Sequence, residues 1–172
     1  MAQGEHTLHA QPRIMMIDDE LSNLQIVKII LLRENFESEL LLYDNGRDAL
    51  DYLRGHPVDL ILLDLAMPGM DGFEVMTRLN ENPATAEIPV IFLSAYQETE
   101  YILRAFQLGA TDFIGKPIIS PILAARIRQT IETRHLQIQL RRSNDELVNT
   151  NRLKDELLSI CSHDLRAPLN AI

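Results

Sequence analysis

The chain predicts an α/β protein: a five-stranded, parallel, doubly wound sheet followed by one long helix of coiled-coil character. Three observations carry this. Five short apolar runs alternate with amphipathic stretches between Arg13 and Arg134, and parallel strands joined by crossovers of that length need helices between them. The third run, Val58–Leu63, is apolar throughout except for Asp59, as suits a central strand covered on both faces. From His135 to Ser159 there is no Gly or Pro, and leucines recur at three- and four-residue steps.

The elements follow in order. Residues 1–12 are polar and expected to be disordered. Arg13–Ile17 is a first strand closed by two acids. Leu21, Leu24, Val27, Ile30 and Leu31 then mark one helix face, with Ser22 and Gln25 able to form a capping box at its start. Glu39–Tyr43 is expected as the second strand, Gly46–Leu53 as a short helix, Val58–Leu63 as the third strand and Phe73–Leu79 as the third helix. Ile88–Leu93, Glu98–Leu108 and Thr111–Ile114 supply strand, helix and strand, the helix ending at Gly109. A long helix starts near Ser120 or Pro121, where proline suits a first turn.

Composition narrows the function. The 172 residues carry 16 basic and 25 acidic side chains, a formal charge of −9, which repels nucleic acid backbones and anionic lipid alike. No apolar run is long enough to span a bilayer, and Met1–Gln11 lacks the apolar core of a signal peptide. A single cysteine, Cys161, leaves no intrachain disulfide and fits a reducing, cytoplasmic setting. No nucleic acid and no membrane partner is expected.

In a doubly wound sheet ligands bind beyond the carboxyl ends of the strands, where strand order reverses. Asp18 and Asp19 end the first run, Asp64 follows the third, Ser94 the fourth and Lys116 the fifth. Three carboxylates, a hydroxyl and an ammonium therefore meet on one rim. Carboxylates so placed repel one another unless a cation lies among them, and a hard divalent ion such as Mg²⁺ or Mn²⁺ is the simple remedy. Asp64 is then a carboxylate nucleophile for a phosphoryl group, Lys116 a partner for a phosphoryl oxygen, and the Ser94 hydroxyl a hydrogen-bond donor to another.

Four motifs now stand in order: Asp18-Asp19-Glu20, Asp64-Leu65-Ala66-Met67-Pro68-Gly69-Met70-Asp71-Gly72, Ser94-Ala95 and Lys116-Pro117. With 45, 30 and 22 residues between Asp19, Asp64, Ser94 and Lys116, residues 13–134 resemble the response-regulator receiver family of two-component signalling, whose fold is flavodoxin-like. The resemblance implies Asp64 as phosphoacceptor, Asp19 and Asp64 as direct ligands of Mg²⁺ with the Ala66 carbonyl, and Asp18 acting through water. It implies a cis Lys116–Pro117 bond, and a switch pair in which Ser94 moves towards the phosphoryl group and Phe113 follows. As a residue alone, Phe113 reads equally as a core aromatic.

Beyond Arg134 the composition changes. Leu136, Leu140, Ser143, Leu147 and Thr150 form a heptad-like seam that resumes as Leu153, Leu157 and Ile160 after a stammer. Such a stretch is either a solvated helix or, as expected here for residues 135–160, a parallel two-stranded coiled coil between two copies of the chain. Ser162-His163-Asp164-Leu165-Arg166-Ala167-Pro168-Leu169-Asn170, preceded by Leu153-Lys154-Asp155-Glu156-Leu157-Leu158, resembles the H-box of sensor histidine kinases. That resemblance implies His163 as a second phosphoacceptor with Asp164 as its acidic partner. Residues 161–172 are accordingly expected to be the truncated start of a kinase dimerisation helix, the parent protein a protein-histidine kinase, and this chain without its ATP-binding domain.

The function expected is Mg²⁺-dependent phosphoryl transfer from a phosphohistidine donor protein to Asp64, with the signal relayed through a dimeric helix to a kinase core. Two rivals differ in class. A pseudo-receiver serving only as an interaction platform would have lost one of the charged residues, and none is lost. A phosphatase of the haloacid dehalogenase class needs an Asp two residues after its nucleophile, where this chain has Ala66.

Overall fold

The computed structural model describes residues 11–96 and 98–166, with side chains to Leu158. The expectation for residues 1–12 therefore falls outside the described residues, apart from 11 and 12. The chain divides into two compact units, Met1–Arg134 and His135–Ile172.

In the first unit β1 (Arg13–Ile17), β2 (Glu39–Tyr43), β3 (Leu60–Asp64), β4 (Val90–Ser94) and β5 (Asp112–Gly115) form one parallel sheet in the order β2-β1-β3-β4-β5. The order reverses between β1 and β3. The chain leaves β1 towards one edge and crosses back to build the other half, so the ends of β1 and β3 flank the cleft where such sheets bind ligands.

Alternation along the strands divides the core in two. Ile14, Met16, Leu60, Leu62, Ile91 and Leu93 pack with Leu24, Val27 and Ile30 of α1 (Leu21–Arg33) and with Leu123, Ile127 and Ile131 of α5 (Ser120–Arg166). Met15, Ile17, Ile61, Leu63, Val90 and Phe92 pack with α2 (Gly46–Leu53), α3 (Gly72–Glu81) and α4 (Thr99–Gln107). Every residue of β3 and β4 is buried, which is why their sequences are apolar runs rather than alternating ones.

Several boundaries move from their sequence expectations, for backbone reasons. The third strand begins at Leu60 rather than Val58: Asp59 exchanges amide bonds with Arg13, its N–H donating to the Arg13 carbonyl at 2.8 Å and its carboxylate accepting the Arg13 N–H at 2.8 Å. The fourth begins at Val90 rather than Ile88. Pro89 has no N–H for the ladder, and the Ile88 amide is spent on the Thr85 carbonyl. The capping box expected from Ser22 and Gln25 does not form. Glu20 is the N-cap without a side-chain bond, which puts Ser22 inside the helix, and Asp18 Oδ1 accepts the Glu20 N–H at 2.9 Å instead. Helices α2 and α3 do carry side-chain caps, Asn45 accepting from Asp48 N–H and Asp71 from Glu74 N–H.

At the rim opposite the strand ends, Arg134 of α5 is buried and donates to the Glu87 carbonyl at 2.9 Å. Burial lowers its pKa, and the nearby charges of Asp59 and Glu87 oppose that shift. The second unit contains the remainder of α5. Its described leucines 136, 140, 147, 153, 157 and 158, with Val148, are each more than half exposed. Among the described residues no helix is long and apolar enough to cross a membrane.

One glycine is fixed by close approach. The Gly72 N–H donates to the Leu65 carbonyl at 2.9 Å, and a Cβ there would collide with the Asp64 carbonyl oxygen and lie 2.9 Å from the Phe92 ring. Gly72→Ala is therefore expected to lower stability by about 1–3 kcal/mol through overpacking, measured as a lower urea midpoint with an unchanged m-value.

Candidate functional site

The first two strands of the switch point end in acids for a reason visible in the backbone. Asp18 directly follows β1, its N–H donating to the Tyr43 carbonyl at 3.0 Å, so its side chain is fixed at the rim. Asp64 is the last residue of β3 and pairs with Leu93. Their carboxylates are buried, at 0 % and 4 % exposure. Asp19, one residue beyond, is exposed, yet carboxylate oxygens of Asp18, Asp19 and Asp64 all lie within 4.8 Å of one another.

Lys116 enters from the other side. Its backbone N–H donates to the Ser94 carbonyl at 2.7 Å, continuing the β4–β5 ladder one residue past Gly115, and the Lys116–Pro117 bond is cis. Its ammonium donates to Asp18 Oδ2 at 2.9 Å and to Asp64 Oδ1 at 2.5 Å. The remaining carboxylate oxygens are also used. Asp18 Oδ1 accepts from Glu20 N–H and from Asn23 Nδ2 at 3.0 Å, and Asp64 Oδ2 accepts from Ala66 N–H at 3.0 Å.

The electrostatics are those of a crowded anionic rim. Burial pushes the Asp64 carboxyl above its usual range; Lys116 opposes that shift and the charge of Asp18 adds to it. For Lys116 burial works downward, but its bonds to Asp64 and Asp18 prevail and its pKa is raised, so the ammonium is charged at neutral pH.

Ser94 ends β4, fully buried, its Oγ accepting the Tyr96 N–H at 3.0 Å. Among the described residues the hydroxyl donates to no acceptor. Phe113 pairs with Phe92 across β4–β5, their ring centroids 6.5 Å apart, while Ser94 pairs with Gly115. Strand alternation puts Ser94 and Phe113 on the same face, and the residue of that face directly across from Ser94 is Gly115, which has no side chain.

The structure thus brings Asp18, Asp19, Asp64, Ala66, Ser94 and Lys116 to one rim, with Phe113 beside them. His163 and Asp164 fall within α5, but their side chains lie outside the described residues. Sequence reasoning missed Asn23, whose amide holds Asp18 from the first turn of α1, and Gly72, whose missing side chain lets α3 press on the Asp64 backbone. Only the glycine had a signal, as the last residue of the quoted loop motif.

The response regulator receiver domain family matches residues 14–128, and the chain belongs to that family. It is 35 % identical over 142 residues to a Vibrio cholerae serotype O1 protein named "Probable cyclic di-GMP phosphodiesterase", a match covering 83 % of this chain and 30 % of that protein. It is 36 % identical over 116 residues to the response regulator PleD of Caulobacter vibrioides, covering 67 % and 25 %. The chain therefore spans about a third or less of these curated relatives. Among solved structures, the signal receiver domain of a signal transduction histidine kinase from Syntrophus aciditrophicus superimposes with a TM-score of 0.62 at 30 % identity, over 71 % of this chain and 91 % of that one.

Lys116 is the counter-charge for two buried carboxylates. Lys116→Ala is expected to destabilise the protein by on the order of 2–4 kcal/mol at neutral pH in a chelator, since breaking a buried pair leaves its acids uncompensated. Urea unfolding of wild type and variant measures the difference.

Proposed function

We propose that Asp64 is the phosphoacceptor of this receiver domain, taking a phosphoryl group from a phosphohistidine on a donor protein. The observation that supports this best is the placement of its buried carboxylate between Ala66 N–H and the Lys116 ammonium. An Asp64 oxygen attacks phosphorus, the N–P bond of the donor breaks, and the imidazole departs carrying the bonding pair. The acyl phosphate formed leaves its negative oxygens near the Lys116 ammonium and the Ser94 hydroxyl, which respectively pair with and donate to them.

The oxygen-rich donor set fits a hard divalent cation, Mg²⁺ or Mn²⁺, with Asp19, Asp64 and the Ala66 carbonyl as direct ligands and Asp18 acting through water. Such an ion supplies charge neutralisation at the transferring phosphoryl group. Ser94 and Phe113 form the switch: a hydroxyl drawn towards the phosphoryl group vacates space on the face where the Phe113 ring lies.

The larger reading is a histidine-kinase context, with residues 13–134 as receiver, 135–160 as a parallel coiled coil between two copies, and 161–172 as the start of a phosphoacceptor helix carrying His163 and Asp164. The exposed leucine stripe of the second unit and the H-box resemblance support it. So does the likeness to the receiver domain of a signal transduction histidine kinase from Syntrophus aciditrophicus. The setting is cytoplasmic, and the kinase core is the downstream partner.

Two outcomes follow. Acetyl phosphate with Mg²⁺ should add one phosphate by intact mass, labile to hydroxylamine, and the gain should vanish in EDTA and in Asp64→Asn; a phosphate gained in either control assigns the acceptor elsewhere. The wild type should sediment as a dimer at high concentration, whereas Leu140→Asp with Leu147→Asp should give a folded monomer.

A further inference from the structure

Away from the Asp64 rim, α2 and the C-terminal end of α3 border a half-open cleft of about 570 Å³, a size within the ~300–1,000 Å³ of small-ligand sites. Its walls are two helix faces at turn-by-turn spacing. Arg47, Asp51 and Arg54 come from α2 and its C-cap, and Arg78, Glu81 and Asn82 from α3 and its C-cap. Half-buried Leu50 supplies an apolar contact.

Three guanidinium groups line one cleft in a chain of charge −9, and much of their donor capacity is unspent. Arg54 meets Asp51 through one nitrogen at 3.2 Å, and Arg78 meets Glu74 through one nitrogen at 2.6 Å. A guanidinium has five N–H donors in a fork that matches phosphate oxygens two at a time. Arg47 makes no ion pair or hydrogen bond among the described residues. Asn82 uses its Oδ1 on the Ala84 N–H at 3.0 Å, which leaves its Nδ2 to donate. Glu81 likewise lacks a partner among the described residues, so its carboxylate is an acceptor on the same wall.

This mixture discriminates between ligands. Three guanidinium groups repel a metal cation. Glu81, with Asp51 already paired to Arg54, disfavours a bare anion, which has no donor to offer it. A molecule with a phosphate for the arginines, hydroxyl or amino donors for Glu81, and a flat apolar surface for Leu50 satisfies every wall. The geometry points to a 5′-mononucleotide-binding site between α2 and α3, separate from the Asp64 rim and independent of its role.

Isothermal titration of the whole chain with AMP, GMP, CMP, UMP and inorganic phosphate, at low ionic strength and without divalent cations, tests this. At least one nucleotide should bind with a Kd below about 1 mM, and phosphate roughly tenfold or more weakly. Arg47→Ala with Arg78→Ala should weaken the nucleotide at least about tenfold while circular dichroism is unchanged and Tm falls only slightly, the loss being one exposed Arg78–Glu74 ion pair. Absence of nucleotide binding, equal affinity for phosphate, or undiminished binding by the double variant would overturn the assignment.

Discussion

The ammonium of Lys116 is the interaction on which the receiver unit turns. It reaches Asp18 and Asp64 together, and without it two carboxylates could not sit buried at the ends of adjacent strands. The strand order makes the triad possible: β1 and β3 are neighbours at the reversal, and β5 lies one strand beyond β4. A long side chain from the end of β5 can span that distance, and the backbone bond from Lys116 to Ser94 sets where it starts. Fold and site are thus coupled in both directions, since the sheet positions the charges and the charges must balance for the sheet to close over them.

The rim is satisfied without being saturated in charge. One ammonium serves two buried carboxylates, while Asp19 stands at the edge and open to solvent. The Asp64 carboxyl is pushed upward by its burial even though it touches a lysine, a sign that desolvation outweighs the single counter-ion. A group in that condition gains from any added positive charge. The divalent ion proposed above is the partner of that kind with oxygen-ligand chemistry.

The gathering of Asp18, Asp19, Asp64 and Lys116 at one rim was legible in sequence because ionic residues stand where apolar runs stop, and the switch point of a parallel sheet brings those places together. The two-sided burial of β3 was legible for the same reason, its run being apolar almost without interruption. Strand starts were less so. At Val58 and Ile88 the apolar pattern continues, but Asp59 and Pro89 divert the backbone amides from the ladder. The Ser22–Gln25 cap matched a motif whose geometry depends on where the helix begins, and Glu20 took that place. Asn23 reads as one polar residue on a helix, and nothing in its spacing announces a bond to Asp18. Arg134 likewise looks like a surface residue at helical period, although it is buried against the opposite rim. The arginines of α2 and α3 have the pattern of a solvated face, and only the packing of the two helices shows that they share a cleft.

The short fifth strand has a consequence for how molecules of this kind meet. Strand β5 offers only Asp112–Gly115 along one open edge of the sheet, and Pro117, with no N–H, stands two residues past its end. At the other edge β2 opens with Glu39, whose carboxylate is held by Arg13 at 2.9 Å. An incoming strand would find few free backbone groups on one side and a fixed charge on the other. Both edges therefore disfavour the addition of a sixth strand, one by its shortness and the proline beyond it, the other by a charge at its opening.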